Sequence, residues 1–169
     1  MELHKITTIE DVEVVKSFFY QIFDELEQDD LQAFKMSVTG EHAYTRLEYY
    51  LCREEGFVVG CSGVYSDNAD ECWLGWFGIR PEFRRRGYAT NLLDKQLQMM
   101  KDYGYKVCRI YTDKVINKNA LDLYLKKGFM VDSEYEDNII TLSKSLDGKT
   151  IPSPWKGEPL GFLIERINY

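Results

Sequence analysis

Residues Trp73 to Ala89 read WLGWFGIRPEFRRRGYA, and the chain is organised around this segment. Its first half is an apolar, aromatic run containing Gly75 and Gly78. Pro81 closes that run, and Arg84, Arg85 and Arg86 lead into Gly87 and a long helical pattern. Proline cannot donate to a sheet ladder, so a strand ends before Pro81. A helix starting near Gly87 leaves its first backbone N–H groups without intrahelical partners. Those donors, the positive end of the helix dipole and the guanidinium groups together make an anion site suited to phosphate. A run of arginines alone is an ordinary solvated face. Here it lies between a strand and a helix, and Gly87 removes the side chain where phosphates would come close.

Upstream, Leu3 to Thr7 reads as a short strand. Ile9, Val12, Val15, Phe18, Phe19, Ile22, Phe23 and Leu26 then recur at three- and four-residue steps, an amphipathic helix started by Thr8 and Asp11. An acidic run from Asp24 to Asp30 precedes a second, shorter helix through Leu31, Phe34 and Met36. Beyond Gly40, Tyr44 to Arg53 and Gly56 to Tyr65 are aromatic and β-branched runs broken at Glu54-Glu55-Gly56, so three antiparallel strands end at Ile79.

Downstream, Tyr88 to Tyr103 has helical spacing and stops at Gly104. Lys106 to Tyr111 is a strand that must run parallel to the central one, because a helix crosses between them. Asn117 to Lys127 is a further helix ended by Gly128, and Phe129 to Glu136 pairs with Ile139 to Ser145 around Asp137-Asn138. The expected architecture is mixed α/β, in the order βααβββαβαββ.

At 169 residues and 44% hydrophobic content the chain suits one domain with a substantial core. A net charge of −7 argues against general nucleic-acid affinity, and the basic cluster is local. Cys52, Cys61, Cys72 and Cys108 lack the paired spacings of a zinc site and fall in strand-like runs, so they read as buried apolar residues in a reduced setting, with no metal expected. No basic-then-apolar leader opens the chain and no run approaches the roughly 18 apolar residues of a membrane span, which makes the cytoplasm the expected location.

The spacing Arg84-x-x-Gly87-x-Ala89 resembles the pyrophosphate-binding loop of the GNAT N-acetyltransferases. Asn117, Ala120, Tyr124, Gly128 and Phe129 match the second signature of that family in order and spacing. The resemblance covers roughly Glu71 to Leu142. It implies the GNAT fold, with its parallel fourth and fifth strands splayed apart, and acetyl-CoA as co-substrate. Arg84, Arg85, Arg86, Gly87, Tyr88, Ala89 and Thr90 would hold the pyrophosphate. The backbone of Phe77, Gly78 and Ile79 would pair with the pantetheine arm, and Asn117 would contact the cofactor or cap its helix. Gly75 and Gly78 permit a bulge there, or serve close packing. Tyr124 matches the family's proton donor; without the signature it would read as a packing residue.

The family's carboxylate positions are filled here by Trp73 and Thr112. Glu71 shares strand parity with Trp73 and Phe77 and is the candidate base, acting through water, with Asp113 a weaker option. A water chain without a dedicated base is a further route. The expected function is acetyl transfer from acetyl-CoA to a primary amine of a small molecule or peptide; the alternative is a catalytically silent acyl-CoA-binding sensor or interaction module. The acidic run Asp24 to Asp30 would steer a cationic amine, or is a plain surface feature. Expected partners are acetyl-CoA, an amine acceptor and, as a candidate, a second copy of the chain, without nucleic acid or membrane. A Rossmann-type domain is disfavoured, because Gly-x-Gly-x-x-Gly is absent and antiparallel strands precede the loop.

The expected domain spans residues 1–146. Residues 147–169, with Pro152, Pro154, Trp155, Pro159 and the run LGFLI, form an extension that either covers a core edge or acts as a lid.

Overall fold

A computed structural model describes residues 1–23 and 31–157. The elements are β1 (Glu2–Lys5), α1 (Ile9–Ile22), α2 (Gln32–Thr39), β2 (Arg46–Glu54), β3 (Phe57–Ser66), β4 (Glu71–Ile79), α3 (Tyr88–Asp102), β5 (Val107–Asp113), α4 (Lys118–Lys126), β6 (Met130–Glu134) and β7 (Ile139–Ser145). Their order is the one expected. The start of α1 follows from a reciprocal cap: Thr8 Oγ1 accepts from the Asp11 amide at 3.2 Å, and Asp11 accepts from the Thr8 amide at 3.2 Å. Burial pushes the Asp11 carboxyl up, but the bonds from Thr7 and Thr8 outweigh it and hold the group below its ordinary range.

The strands form a seven-stranded sheet in the order β1-β2-β3-β4-β5-β7-β6. Among the described strands only β4 and β5 run parallel, joined by the α3 crossover. Left-handed backbone closes both hairpins: Glu55 (φ 48°) and Gly56 (φ 84°) form a two-residue turn between β2 and β3, and Asp137 (φ 56°) and Asn138 (φ 64°) lie in the longer connection from Tyr135 to Asn138 between β6 and β7.

Helices α1 and α2 cover one face of the sheet, where Phe18, Phe19 and Phe34 pack with Tyr49, Tyr65 and Trp73. Helices α3 and α4 cover the other, where Leu93, Met100 and Tyr124 pack with Val64, Leu74, Cys108 and Ile110. All four cysteines are buried and unpaired. Burial pushes the Cys52 thiol up to about 12 and the Cys61 thiol well above its ordinary range, so both stay protonated and are poor nucleophiles. No group of three or more His, Cys, Asp or Glu side chains among the described residues could hold a metal ion. No described helix is long and apolar enough to cross a membrane.

Beyond the core, the described part of the extension lies against the first face. The indole of Trp155 meets Trp73 edge-on at 4.9 Å between ring centroids. Ser133 donates to the Trp155 carbonyl at 2.7 Å, and Tyr135 donates to that of Gly157 at 2.8 Å. Pro159 and the run LGFLI lie outside the described residues, as does the acidic run Asp24 to Asp30.

Candidate active site

The parallel pair is short. Glu71, Cys72 and Trp73 of β4 register with Val107, Cys108 and Arg109 of β5. Past that point β4 continues to Ile79 and β5 to Asp113 without pairing to each other, while β4 stays bonded to β3 and β5 to β7. A gap therefore opens toward the C-terminal ends of both strands. Backbone groups on one edge of Phe77, Gly78 and Ile79 face it.

A bulge shapes the β4 side of the gap. Cys61 registers with Gly78 and Gly63 with Gly75, so Trp76 and Phe77 together oppose the single residue Ser62. The left-handed conformation falls on Trp76 (φ 42°), not on either glycine. Gly75 and Gly78 serve close packing instead. A Cβ on Gly78 would lie 2.2 Å from the Ile22 Cγ2 atom, and one on Gly75 would lie 3.1 Å from the Tyr65 ring. The extra residue also reverses strand parity. Phe77 packs among the residues of the α3/α4 face, opposite Trp73, which corrects the shared parity expected of Glu71, Trp73 and Phe77.

On that face Phe77 meets the ring of Tyr124 at 5.9 Å, and Tyr124 meets Phe129 at the same distance. Tyr124 is 4% exposed, and its hydroxyl has no hydrogen-bond partner among the described residues. Burial, with a smaller contribution from Cys108, pushes its phenol above the ordinary range. The group therefore carries its proton at neutral pH. Asn117 occupies the cap position of α4 without a capping bond; its Nδ2 donates to the Thr112 hydroxyl at 3.1 Å, tying the helix to the end of β5.

At the end of β4, a single 3₁₀ turn (Pro81–Phe83) leads into the arginines. The Arg84 Nε donates to the Ile79 carbonyl at 2.9 Å, so this side chain braces the loop. Arg85 and Arg86 are exposed, with no ion-pair partner among the described residues. Arg85 (φ 61°) and Gly87 (φ 81°) are left-handed, and the space where a Gly87 Cβ would stand is open. The first intrahelical bond of α3 runs from the Asn91 amide to the Gly87 carbonyl at 3.1 Å, and no side chain caps the helix. The amides of Tyr88, Ala89 and Thr90 precede it and have no carbonyl one turn back within the helix. A surface cavity of about 710 Å³ follows α3 from here, lined in part by Gly87, Thr90, Asn91 and Lys95.

A family model described as the acetyltransferase (GNAT) family matches residues 12–129, more than half of the chain. The chain belongs to the GNAT acetyltransferase family. No curated protein matches it. The fold recurs in a GNAT family acetyltransferase from Elizabethkingia anophelis with acetyl-CoA bound, at 17% identity and TM-score 0.59, over 77% of this chain and 89% of that one. It recurs in the PaiA N-acetyltransferase from Thermoplasma acidophilum in complex with coenzyme A, at 16% identity and TM-score 0.65, over 86% and 99%. The ribosomal-protein-S18-alanine N-acetyltransferase from Escherichia coli is similar at 14% identity and TM-score 0.65, over 94% and 98%.

In this GNAT chain Glu71 is brought to Arg109 and lies on the face of the sheet away from Tyr124. Both its carboxylate oxygens accept from Arg109, at 2.8 and 2.9 Å. The Arg109 Nη1 donates to Asp132 at 2.9 Å, and Asp132 in turn accepts from the Thr141 hydroxyl. Trp155 closes the cluster, its ring 5.6 Å from the Arg109 guanidinium carbon. Arg109 is only 1% exposed, and these carboxylates neutralise its buried charge. Asp113 is used differently: its Oδ1 accepts from the amides of Val115 and Ile116 at 2.7 and 2.8 Å. Sequence reasoning passed over Arg109 and Asp132, although a lone arginine inside the apolar run VCRIY is a signal that a buried counter-charge must exist.

Proposed function

We propose that this GNAT protein is an acetyl-CoA-dependent N-acetyltransferase that acts on a primary amine of a small molecule or peptide by direct attack. The observation that carries the reading is the gap between β4 and β5, flanked by Phe77 and Tyr124 and ending at an uncapped helix start beside Arg85 and Arg86. Coenzyme A needs anion donors, an unpaired strand edge for an amide-bearing arm, and room beside its thioester. The α3 amides with Arg85 and Arg86 fit the first need, and the edge of Phe77, Gly78 and Ile79, apart from the Ile79 carbonyl held by Arg84, fits the second. The acetyl-CoA or coenzyme A held by similar GNAT structures supports the same reading.

In the reaction, the neutral amine attacks the thioester carbonyl carbon. A C–N bond forms, the C–S bond breaks, and the departing thiolate takes the Tyr124 proton. The amide nitrogen gives up its surplus proton to water. We assign the base to water, because both Glu71 oxygens are engaged by Arg109. Unpaired cysteines favour a reducing compartment such as the cytoplasm.

The test is thiol release from acetyl-CoA over a panel of primary amines, run alongside calorimetry with coenzyme A. Thiol release with at least one amine is expected. The engaged Glu71 favours one competing reading, a silent acyl-CoA-binding module, which would bind coenzyme A and modify no amine.

A further inference from the structure

Gln96 is a polar residue fully buried within the apolar packing of α3, between Leu92 and Met100. Its Nε2 donates to the Ser62 hydroxyl at 2.6 Å, and its Oε1 is buried with no hydrogen-bond partner. Ser62 is also fully buried. Within the paired stretch Gly60 to Tyr65 it is the residue that the register with β4 skips, and so it stands across from the bulged pair Trp76 and Phe77. The neighbouring β3 residue bonds the bulge directly: the Cys61 thiol donates to the Trp76 carbonyl at 3.4 Å, a weak bond. Burying an amide and a hydroxyl in an apolar layer is unfavourable unless they bond to each other. Their placement opposite the bulge gives that cost a purpose.

We propose that Gln96, acting through Ser62, is a positioning residue that fixes the β4 bulge and thereby presents the backbone of Phe77 and Gly78 to the amide-bearing arm of coenzyme A. This rests on the acetyl-CoA reading above. The pair lies behind β4 relative to the gap, so it shapes the strand edge without touching ligand. The phosphate-holding loop, braced separately by Arg84 on Ile79, is independent of it.

The distinguishing experiment compares two ligands on full-length Ser62→Ala, Gln96→Met and the double variant. Coenzyme A reads the whole site, whereas adenosine 3′,5′-bisphosphate lacks the arm. Each single variant is expected to weaken coenzyme A about tenfold, the worth of one well-placed hydrogen bond. Binding of the bisphosphate should stay within about twofold, and the double variant should be no worse than either single, as for groups acting as a unit. Ser62→Ala removes a single hydroxyl and keeps the test valid should Gln96→Met fold poorly. Unchanged coenzyme A affinity, or equal weakening of both ligands, overturns the positioning role. A wild-type chain that binds neither ligand overturns the acetyl-CoA reading and this inference with it.

Discussion

The rings of Phe77 and Tyr124 face each other at 5.9 Å with their planes tilted by 57°, across the opening where β4 leaves β5. The contact joins a strand edge and a helix that are otherwise separated by the gap. It also places the phenol beside the backbone that would carry the thioester. Because burial holds Tyr124 protonated, ionisation of this group should not limit turnover up to a pH of about 9.

Tyr124→Phe keeps the ring packing and removes the proton. We expect the rate constant for thiol release to fall about 100-fold, within the range of general-acid contributions. Calorimetric affinity for coenzyme A should stay within about twofold. An unchanged rate would assign Tyr124 to packing alone.

Arg85 and Arg86 are exposed and make no ion pair among the described residues, so replacing both by alanine removes charge without opening the core. Coenzyme A affinity should drop by roughly 2 kcal/mol or more, since hydrogen bonds to charged groups are worth about 1.5–3 kcal/mol each. Thermal stability should hardly move. Arg84→Ala should differ, because its side chain braces the loop on Ile79: it should lower the melting temperature as well.

Glu71→Gln separates a base from a structural partner. Arg109 would lose the bidentate half of its neutralisation while remaining buried. A loss of about 2–3 kcal/mol in denaturant unfolding is expected, allowing for the partial exposure of Glu71. Any activity surviving at permissive temperature should keep the wild-type pH profile. A displaced profile would restore Glu71 as the base.

Glu48 accepts from Lys5 at 2.9 Å, from Arg46 at 2.8 Å and from the Tyr50 hydroxyl at 2.6 Å. Burial pushes its carboxyl up, but these partners outweigh burial and leave the group below its ordinary range. The unfolded chain therefore takes up this proton first as pH falls. The stability that Glu48 contributes is present above about pH 4.3 and is lost as acidity passes the lower folded value. Melting temperatures of wild type and Glu48→Gln should differ most at neutral pH and converge in acid.

Much of the fold could be read in advance because local punctuation enforces it. Pro81 ends β4, Gly87 opens α3, and Asp137-Asn138 turns β6 into β7, each through its own backbone preference. The bulge was legible only in part. Gly75 and Gly78 drew attention as residues free to bend, yet the bend sits on Trp76, where a bulky side chain makes positive φ least expected. One misplaced residue of parity then put Phe77 on the wrong face. The Glu71–Arg109 pair was hidden for another reason. Its members are 38 residues apart, and only the α3 crossover brings their strands side by side. Trp155 lies further still from Trp73, and no local pattern could place it.

The short union of β4 with β5 has a mechanical consequence. Three residue pairs form the seam between a four-stranded leaf and a three-stranded one, bridged on one side by α3. Thermal opening should begin along that line. A molecule wedged into it would knit the leaves together, and amide exchange at Ile110 and Tyr111 should slow more on loading than exchange at the far edge near β1.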